Sequence, residues 1–99
     1  MKVPKVENMV SNSGNAIPNQ YILALDNCTI FRSYDTTIAV KFNDGTIVLS
    51  DDWDYSSTTS KYRNIFLDET TAETRRNIDN DTYRVLSDKR LGVLINEYN

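Results

Sequence analysis

The chain contains 99 residues, of which 39% are hydrophobic and 25% are charged, and its formal net charge is −3. This composition predicts one folded, soluble domain, since disordered chains are poorer in large apolar groups. The acidic balance argues against a general nucleic-acid binder, because such proteins gain affinity mainly by neutralising phosphates.

Histidine and cysteine, two residue types that often support catalysis and metal binding, are nearly absent. Cys28 is the only cysteine and histidine is absent, which excludes an internal disulfide and a zinc site built from these residues within one chain. The commonest general base is therefore missing, and the sequence has no glycine-rich phosphate-binding loop. We expect a non-enzymatic protein that needs no metal and no cofactor.

The sequence carries no targeting signal that we recognise. No apolar run reaches the roughly 20 residues that a membrane-spanning helix needs. The first ten residues, MKVPKVENMV, lack the apolar core of a signal peptide. We therefore expect a cytoplasmic protein with no membrane partner.

The first segment of the chain is rich in residues that interrupt regular structure. Residues 1–19 contain both prolines and one of the three glycines, and residues 11–15 have the composition of a loop. We predict an extended N-terminal arm over residues 1–19. The remaining residues, 20–99, are predicted to form a single α+β domain.

Residues 20–50 alternate short apolar segments with turn signals, which is typical of antiparallel strands joined by tight turns. Asn43-Asp44-Gly45 is the strongest of these signals, because glycine adopts positive φ without steric penalty. The pattern predicts a four-stranded antiparallel meander. Its strands are predicted at residues 21–25, 28–34, 37–42 and 46–50.

The periodicity changes after the fourth predicted strand. Tyr62, Ile65 and Phe66 recur at the spacing of one helical face, which predicts a helix that buries them. A hydroxyl within residues 57–59 is expected to cap its start by accepting a hydrogen bond from a free backbone N–H.

A second helix and a late strand follow. Thr70-Thr71-Ala72-Glu73 matches a capping box, so a helix is predicted from Thr70 to about Ile78. Residues 82–86 are predicted to be a fifth strand, and the apolar tail at 91–95 is predicted to be either a sixth strand or a short helix. The expected fold is α+β, with an antiparallel sheet of four or five strands packed against one or two short helices.

Residues 53–67 connect the predicted meander to the first helix and include the only tryptophan. A joint between a strand and a helix needs a large apolar plug, a helix cap and a side chain that satisfies the loop backbone. We favour this structural interpretation of the segment. The residues predicted for these roles are Trp53 as the plug, Thr58 or Thr59 as the cap, Asp54 or Ser56 for the loop backbone, and Tyr62 and Phe66 against the sheet.

The same segment also offers a candidate binding surface. Lys61 and Arg63 flank the predicted buried face, so their charged heads are expected to reach solvent. Tyr55 and Asn64 are expected beside them, and tyrosine and arginine are enriched at the energetic centres of protein interfaces. We predict that Tyr55, Lys61, Arg63 and Asn64 contact a protein partner.

Two charged clusters remain as alternatives. Asp51-Asp52-Trp53-Asp54 has carboxylates for Mg²⁺ or Ca²⁺, but it lacks the alternating ligands and the glycine of known loop sites, so a solvated loop is the favoured interpretation. The basic residues of the C-terminal third would form a phosphate-contacting patch if the fold gathered them on one side. They are Arg75, Arg76, Arg84, Lys89 and Arg90.

The segment 53–67 also carries a resemblance. Its motifs WDYS, TT, KYRN and FL resemble the signature of a family of small, uncharacterised proteins encoded by phages and mobile elements of low-GC Gram-positive bacteria. Weaker similarity extends over roughly residues 13–86, whereas the tail at 91–98 departs from the family. The resemblance implies a phage origin and no established reaction.

The expected function follows from that origin and from the small size of the chain. We expect a small accessory protein that binds a host or phage protein in the host cytoplasm, and a bacterial defence system is one candidate target. The alternative is a nucleic-acid-associated accessory protein that uses the C-terminal arginines.

Overall fold

A computed structural model describes residues 5–98, so residues 1–4 of the predicted arm, and Asn99, lie outside the described residues. Five strands precede the first helix, and two helices, a sixth strand and a third helix follow them. The elements are β1 (Lys5–Val10), β2 (Ala16–Ala24), β3 (Cys28–Ser33), β4 (Thr36–Phe42), β5 (Ile47–Ser50), α1 (Ser57–Leu67), α2 (Thr71–Asp79), β6 (Arg84–Leu86) and α3 (Asp88–Tyr98).

The predicted α+β class is confirmed, with a slightly larger sheet than expected. The strands form a six-stranded sheet in the order β1-β2-β3-β4-β5-β6. Each pair from β1 to β5 is antiparallel, whereas β5 and β6 pair in parallel. A parallel neighbour requires a crossover connection, and α1 and α2 supply it.

The N-terminal segment joins the sheet instead of forming a separate arm. Lys5 pairs with Ala24, and β2 begins at Ala16, so the boundary predicted between residues 19 and 20 falls inside a strand. The polar residues 11–15 form the turn of this hairpin, where Gly14 has a φ of +86°. Proline is tolerated at position 18 because it lies in the part of β2 whose neighbour, β1, is an edge strand with a bulge.

Two apolar layers lie on opposite faces of the sheet. Phe31 is opposite Ala39, which is opposite Leu49, and these side chains share one face. That face packs against α1 and α2, and the rings of Phe31 and Phe66 have centroids 5.8 Å apart. The buried residues of this first face are Met9, Phe31, Ile38, Ala39, Leu49, Phe66, Leu67 and Tyr83.

The second face is covered by α3, which settles the choice left open for the tail in favour of a helix. Leu91 is fully buried in this layer, and Leu94 packs against it. The helix alternates these apolar residues with exposed ones, such as Val93, on its outer side. The buried residues of the second face are Cys28, Ile30, Val40, Phe42, Val48, Leu86 and Leu91.

The capping box predicted at the start of α2 is confirmed. The hydroxyl of Thr70 accepts a hydrogen bond from the backbone N–H of Glu73, and the Glu73 carboxylate accepts one from the backbone N–H of Thr70. These bonds satisfy backbone donors that a helix start leaves free. They lower the pKa of Glu73 from its ordinary value, because hydrogen bonds from Thr70 stabilise the charged carboxylate.

A buried hydrogen-bond cluster fastens the crossover to the last strand. The Tyr83 hydroxyl donates to Glu69 Oε1 at 2.5 Å, and the Thr74 hydroxyl donates to Glu69 Oε2. Burial is the main cause that raises the pKa of Tyr83, and the hydrogen bond and negative charge of Glu69 add to it. The folded protein therefore holds this phenol in its neutral form.

We expect Leu91→Ala to lower the free energy of unfolding by about 2–5 kcal/mol, because it empties a fully buried site under α3. Val93→Ala on the same helix is the matched control. Its side chain is 53% exposed, so we expect a change within about 0.5 kcal/mol. Equal losses for the two variants in urea titrations would show that α3 does not pack on the sheet.

Tyr83 should make stability depend on pH in the alkaline range. The unfolded chain ionises a tyrosine near pH 10, whereas the folded chain does so at a higher pH, so the stabilisation is present below about pH 10 and is lost above it. We expect the stability difference between wild type and Tyr83→Phe to shrink by about 1.4 kcal/mol per pH unit above pH 10. Urea midpoints between pH 8 and 11 measure it, and a constant difference would contradict it.

Candidate functional site

The loop between β5 and α1 reverses the chain in two consecutive turns. The backbone N–H of Trp53 donates to the Ser50 carbonyl at 3.1 Å, and that of Tyr55 donates to the Asp52 carbonyl at 3.1 Å. Ser50 is fully buried in the sheet, so the loop starts from a fixed point. The two turns place Ser56 directly before the first residue of α1.

The cap and the buried face of α1 differ from the predicted ones. Ser56 is the N-cap, and its hydroxyl accepts from the backbone N–H of Thr59 at 3.1 Å, so the cap predicted at Thr58 or Thr59 is wrong. Ser56 can cap because its backbone is extended, with φ −153°, whereas Thr59 already lies within the helix. Ile65, predicted to be buried, is 58% exposed because the buried face passes through Arg63 instead.

Trp53 occupies the joint between the sheet and the crossover helices. Its side chain is partly buried and packs against the apolar layer on the first face, as do Tyr62 and Phe66. The guanidinium carbons of Arg63 and Arg75 lie 5.1 and 5.2 Å from the centroid of the indole ring. Both distances are within the range of cation–π attraction, which is strongest for tryptophan.

Arg63 is fully buried, so the prediction that its charged head reaches solvent is wrong. Nη1 donates to the carbonyl of Trp53 and, at 3.3 Å, to the Ser60 hydroxyl. Nη2 donates to Asn64 Oδ1 and Thr71 Oγ1, each at 2.9 Å. These acceptors come from the loop, from α1 and from the first turn of α2, and they replace hydrogen bonds that water would supply to Nη1 and Nη2. Among the described residues, Nε is buried without a hydrogen-bond partner.

The carboxylate of Asp54 balances the charge of this cluster. Its Oδ2 lies 3.1 Å from Arg75 Nη2, and its Oδ1 lies 4.0 Å from Arg63 Nη1. Burial lowers the pKa of Arg63 from its ordinary value, whereas the negative charges of Asp54 and Glu69 raise it. The guanidinium keeps its proton at neutral pH, since arginine is not deprotonated in proteins.

Of the residues predicted to contact a partner, two are presented to solvent. Tyr55 is 75% exposed at the tip of the loop. Lys61 is exposed on α1, with its ammonium 5.3 Å from the centroid of the Tyr62 ring. Asn64 is only partly exposed, and its amide is bonded to Arg63 and Thr71. Arg63 and Asn64 therefore hold the joint together beneath the surface that Tyr55 and Lys61 occupy.

A surface pocket of about 450 Å³ opens next to Tyr55. It lies between the turn that connects β3 to β4 and the start of α1, and Tyr34 and Asp52 also line it. Ser33 and Thr59 form part of its wall, with their hydroxyl oxygens 3.3 Å apart. Residues 33–36 and 52–59 are distant in sequence, and no periodic pattern relates them, so sequence reasoning missed Tyr34 and Asp52 as neighbours of Tyr55.

The C-terminal basic residues are divided between two parts of the molecule. Arg84, Lys89 and Arg90 line a second surface pocket of about 550 Å³ beside α3. Arg75 instead lies on α2 and pairs with Asp54, and Arg76 follows it on that helix. The fold therefore gathers only part of the predicted basic patch.

The acidic run at residues 51–54 remains in a surface loop. Within the described part of the chain, no group of three or more histidine, cysteine, aspartate or glutamate side chains is placed to hold a metal ion. Across the same residues, no helix is both long enough and apolar enough to cross a membrane.

Comparisons with known proteins relate the chain to one family. Residues 4–82 match the model of a family of unknown function (DUF8033). The matched range includes the whole joint and every residue that lines the pocket beside Tyr55, whereas β6 and α3 lie beyond it. Searches among curated proteins and among solved structures found no match.

We expect Arg63→Ala to lower the free energy of unfolding by about 2–4 kcal/mol, because the carbonyl of Trp53 and the side chains of Asn64 and Thr71 lose their buried donor. Arg63→Lys should recover little of this loss, since one ammonium cannot reproduce the planar set of donors.

Lys61→Ala is the matched control, and its exposed position predicts a change within about 0.5 kcal/mol. Urea titrations of the three variants measure these differences. A loss below about 1 kcal/mol for Arg63→Ala would show that the buried network does not stabilise the joint.

Proposed function

The chain belongs to the family of unknown function DUF8033. We propose that it is a small non-enzymatic accessory protein that binds another protein. The observation that carries the proposal is Tyr55, a large aromatic side chain that is 75% exposed on a tightly fastened loop. A rigid, exposed aromatic loses little conformational entropy on binding and can fill a pocket on a partner.

The surroundings of Tyr55 support its role as an anchor. The loop is held in place by the hydrogen bond that the Trp53 carbonyl accepts from Arg63 and by the ion pair between the side chains of Asp54 and Arg75. Lys61 adds an exposed charge on the adjacent turn of α1. Tyrosine is among the residues enriched at interface centres, where a few residues account for most of the affinity.

The proposed setting is the cytoplasm of a bacterial host, with a host or phage protein as the partner. The support for it is the resemblance of the WDYS, TT, KYRN and FL motifs to those of phage and mobile-element proteins of low-GC Gram-positive bacteria. A small protein of that origin that binds without catalysis would act by blocking its partner. A bacterial defence system is one candidate target.

A second candidate function is supported by the second surface pocket, beside α3, which is called the basic groove below. Arg84, Lys89 and Arg90 line this groove together, which supplies the local positive charge that a nucleic-acid-associated protein needs. Glu97 also lines it and reduces that charge. The groove lies outside residues 4–82, so it is not part of the region that the family model describes.

The test is affinity capture from the lysate of a low-GC Gram-positive bacterium with tagged protein, with and without nuclease. We expect the captured protein to remain after nuclease treatment and the double variant Tyr55→Ala, Lys61→Glu to reduce capture at least about tenfold, as loss of an interface centre does. Both residues are exposed, so the thermal unfolding midpoint should stay close to that of wild type.

Arg84→Glu, Arg90→Glu is the matched double variant for the second candidate. Phosphate-dominated binding would be lost in this variant, would disappear with nuclease, and would weaken by orders of magnitude between about 50 and 200 mM salt. That set of results, with capture unaffected by changes at Tyr55 and Lys61, would replace protein binding by nucleic-acid association.

A further inference from the structure

We infer that the pocket between the β3–β4 turn and the start of α1 receives a lysine or arginine side chain of the partner protein. The inference deepens the proposed function, on which it rests, by naming the chemistry that the site recognises. Tyr34, Asp52 and Tyr55 are the residues that carry it.

The pocket presents two aromatic rings to solvent. Tyr34 is 59% exposed and Tyr55 is 75% exposed, and both line it. Among residues 5–98, neither hydroxyl has a hydrogen-bond partner. Large aromatic groups left uncovered at the edges of one concave site are available to a ligand, and the faces of such rings attract cations.

The backbone holds Tyr34 in a fixed position. Its φ is +54°, in the left-handed region that few bulky residues adopt, and its N–H donates to the Asn19 carbonyl at 2.7 Å. The rest of the turn is also fixed, since Arg32 Nη2 donates to the Asp35 carbonyl at 2.9 Å. The ring of Tyr34 therefore starts from a rigid base, which lowers the entropic cost of binding.

Of the described residues, Asp52 alone supplies a charged side chain to the lining of the pocket. No residue between 5 and 98 forms an ion pair with it, whereas Asp54, two positions further on, is already engaged by Arg75. Asp51 adds a second carboxylate next to it in the exposed loop. A partly buried carboxylate without a counter-ion favours a ligand that brings a positive charge.

The start of α1 contributes an opposing field, but a smaller one. Ser56, Thr58 and Thr59 place the pocket at the positive end of the helix dipole, which is equivalent to about half an elementary charge. The full charge of Asp52 exceeds it, and no lysine or arginine between residues 5 and 98 lines the pocket to assist an anion. One backbone donor of this helix start is also already taken, because Ser56 accepts from the Thr59 N–H. A cation is therefore preferred over a phosphate or carboxylate.

The size of the pocket matches a side chain and its adjoining backbone. Its volume of about 450 Å³ lies within the usual range of ligand sites, roughly 300–1,000 Å³. Hydroxyls on the wall, among them those of Ser33 and Thr36, can accept hydrogen bonds from an ammonium or guanidinium group. An amino-acid side chain of this type carries the charge, the donors and the length that the site requires.

The test uses short capped peptides as probes, with amide shifts of the isotopically labelled protein followed by NMR. The peptides are acetyl-Gly-Arg-Gly-amide, acetyl-Gly-Lys-Gly-amide and acetyl-Gly-Glu-Gly-amide, with inorganic phosphate and glucose as further probes. We expect the two cationic peptides to shift amides within residues 33–36 and 51–59, with dissociation constants of about 1–10 mM, as suits a single side chain. The glutamate peptide, phosphate and glucose should not change the chemical shifts of these amides.

Two sets of variants test the charge of Asp52 and the aromatic ring of Tyr55 separately. Asp52→Asn is isosteric and should weaken binding of the cationic peptides about fivefold, whereas Asp79→Asn, on the exposed end of α2, is the matched control and should not weaken it. Tyr55→Ala should weaken it by a similar factor, and Tyr55→Phe should retain it, since the ring and not the hydroxyl attracts the cation.

Several results would overturn the inference. They are no shift with either cationic peptide, shifts outside the pocket only, equal or larger shifts with the glutamate peptide, phosphate or glucose, or equal affinity in Asp52→Asn and Asp79→Asn. Failure here is distinguishable from failure of the proposed function: capture that depends on Tyr55 and Lys61 but survives Asp52→Asn would keep protein binding and reject the cation pocket.

Discussion

The buried guanidinium of Arg63 is the interaction on which the functional part of the structure depends. It is fully buried and donates to the loop through the Trp53 carbonyl, to α1 through Asn64 and to α2 through Thr71. One side chain thus joins three segments, and the Asp54–Arg75 ion pair and the Asn64–Thr71 hydrogen bond add to the connection. An arginine can do this because its planar head has five donors in fixed directions, whereas an apolar residue would fill the space without orienting the loop.

The stability of that arrangement rests on the sheet beneath it. The loop leaves β5 at Ser50, which is fully buried, and the chain returns to the sheet at β6, which pairs in parallel with β5. The crossover formed by α1 and α2 is therefore fixed at both ends. Between α1 and α2, Glu69 accepts hydrogen bonds from Thr74 and from Tyr83, which immediately precedes β6, so that the joint and the return strand are each held by a partly buried polar cluster.

The modest net charge of −3 conceals two surfaces of opposite character. The pocket beside Tyr55 combines aromatic rings with Asp52, which has no ion-pair partner among residues 5–98, and it lies within the residues that the family model matches. The groove beside α3 gathers Arg84, Lys89 and Arg90, and it lies beyond them. Because exposed charges are screened over about 8 Å at physiological salt, each surface acts through its own local charge and not through the net charge of the chain.

Local patterns in the sequence determined the parts of the fold whose signals are short in range. The Asn43-Asp44-Gly45 turn and the capping box at Thr70 are found where the sequence predicts them, and the four predicted strands occur in the predicted order, with β2 beginning earlier, at Ala16. Each depends on contacts between residues that are close along the chain, such as a hydroxyl and an N–H within one helical turn.

Only the tertiary structure decided which residues each element buries and which ones meet. The apolar pattern of α1 predicted that Ile65 is buried and Arg63 exposed, and the reverse holds, because acceptors on the loop and on α2 offset the cost of burying a charge. β1 was not predicted as a strand, because its sequence mixes polar and apolar residues, and it extends the sheet through its pairing with β2. The pocket that brings Tyr34 to Tyr55 exists only after the sheet has placed the β3–β4 turn beside the start of α1, since no local interaction links the two segments.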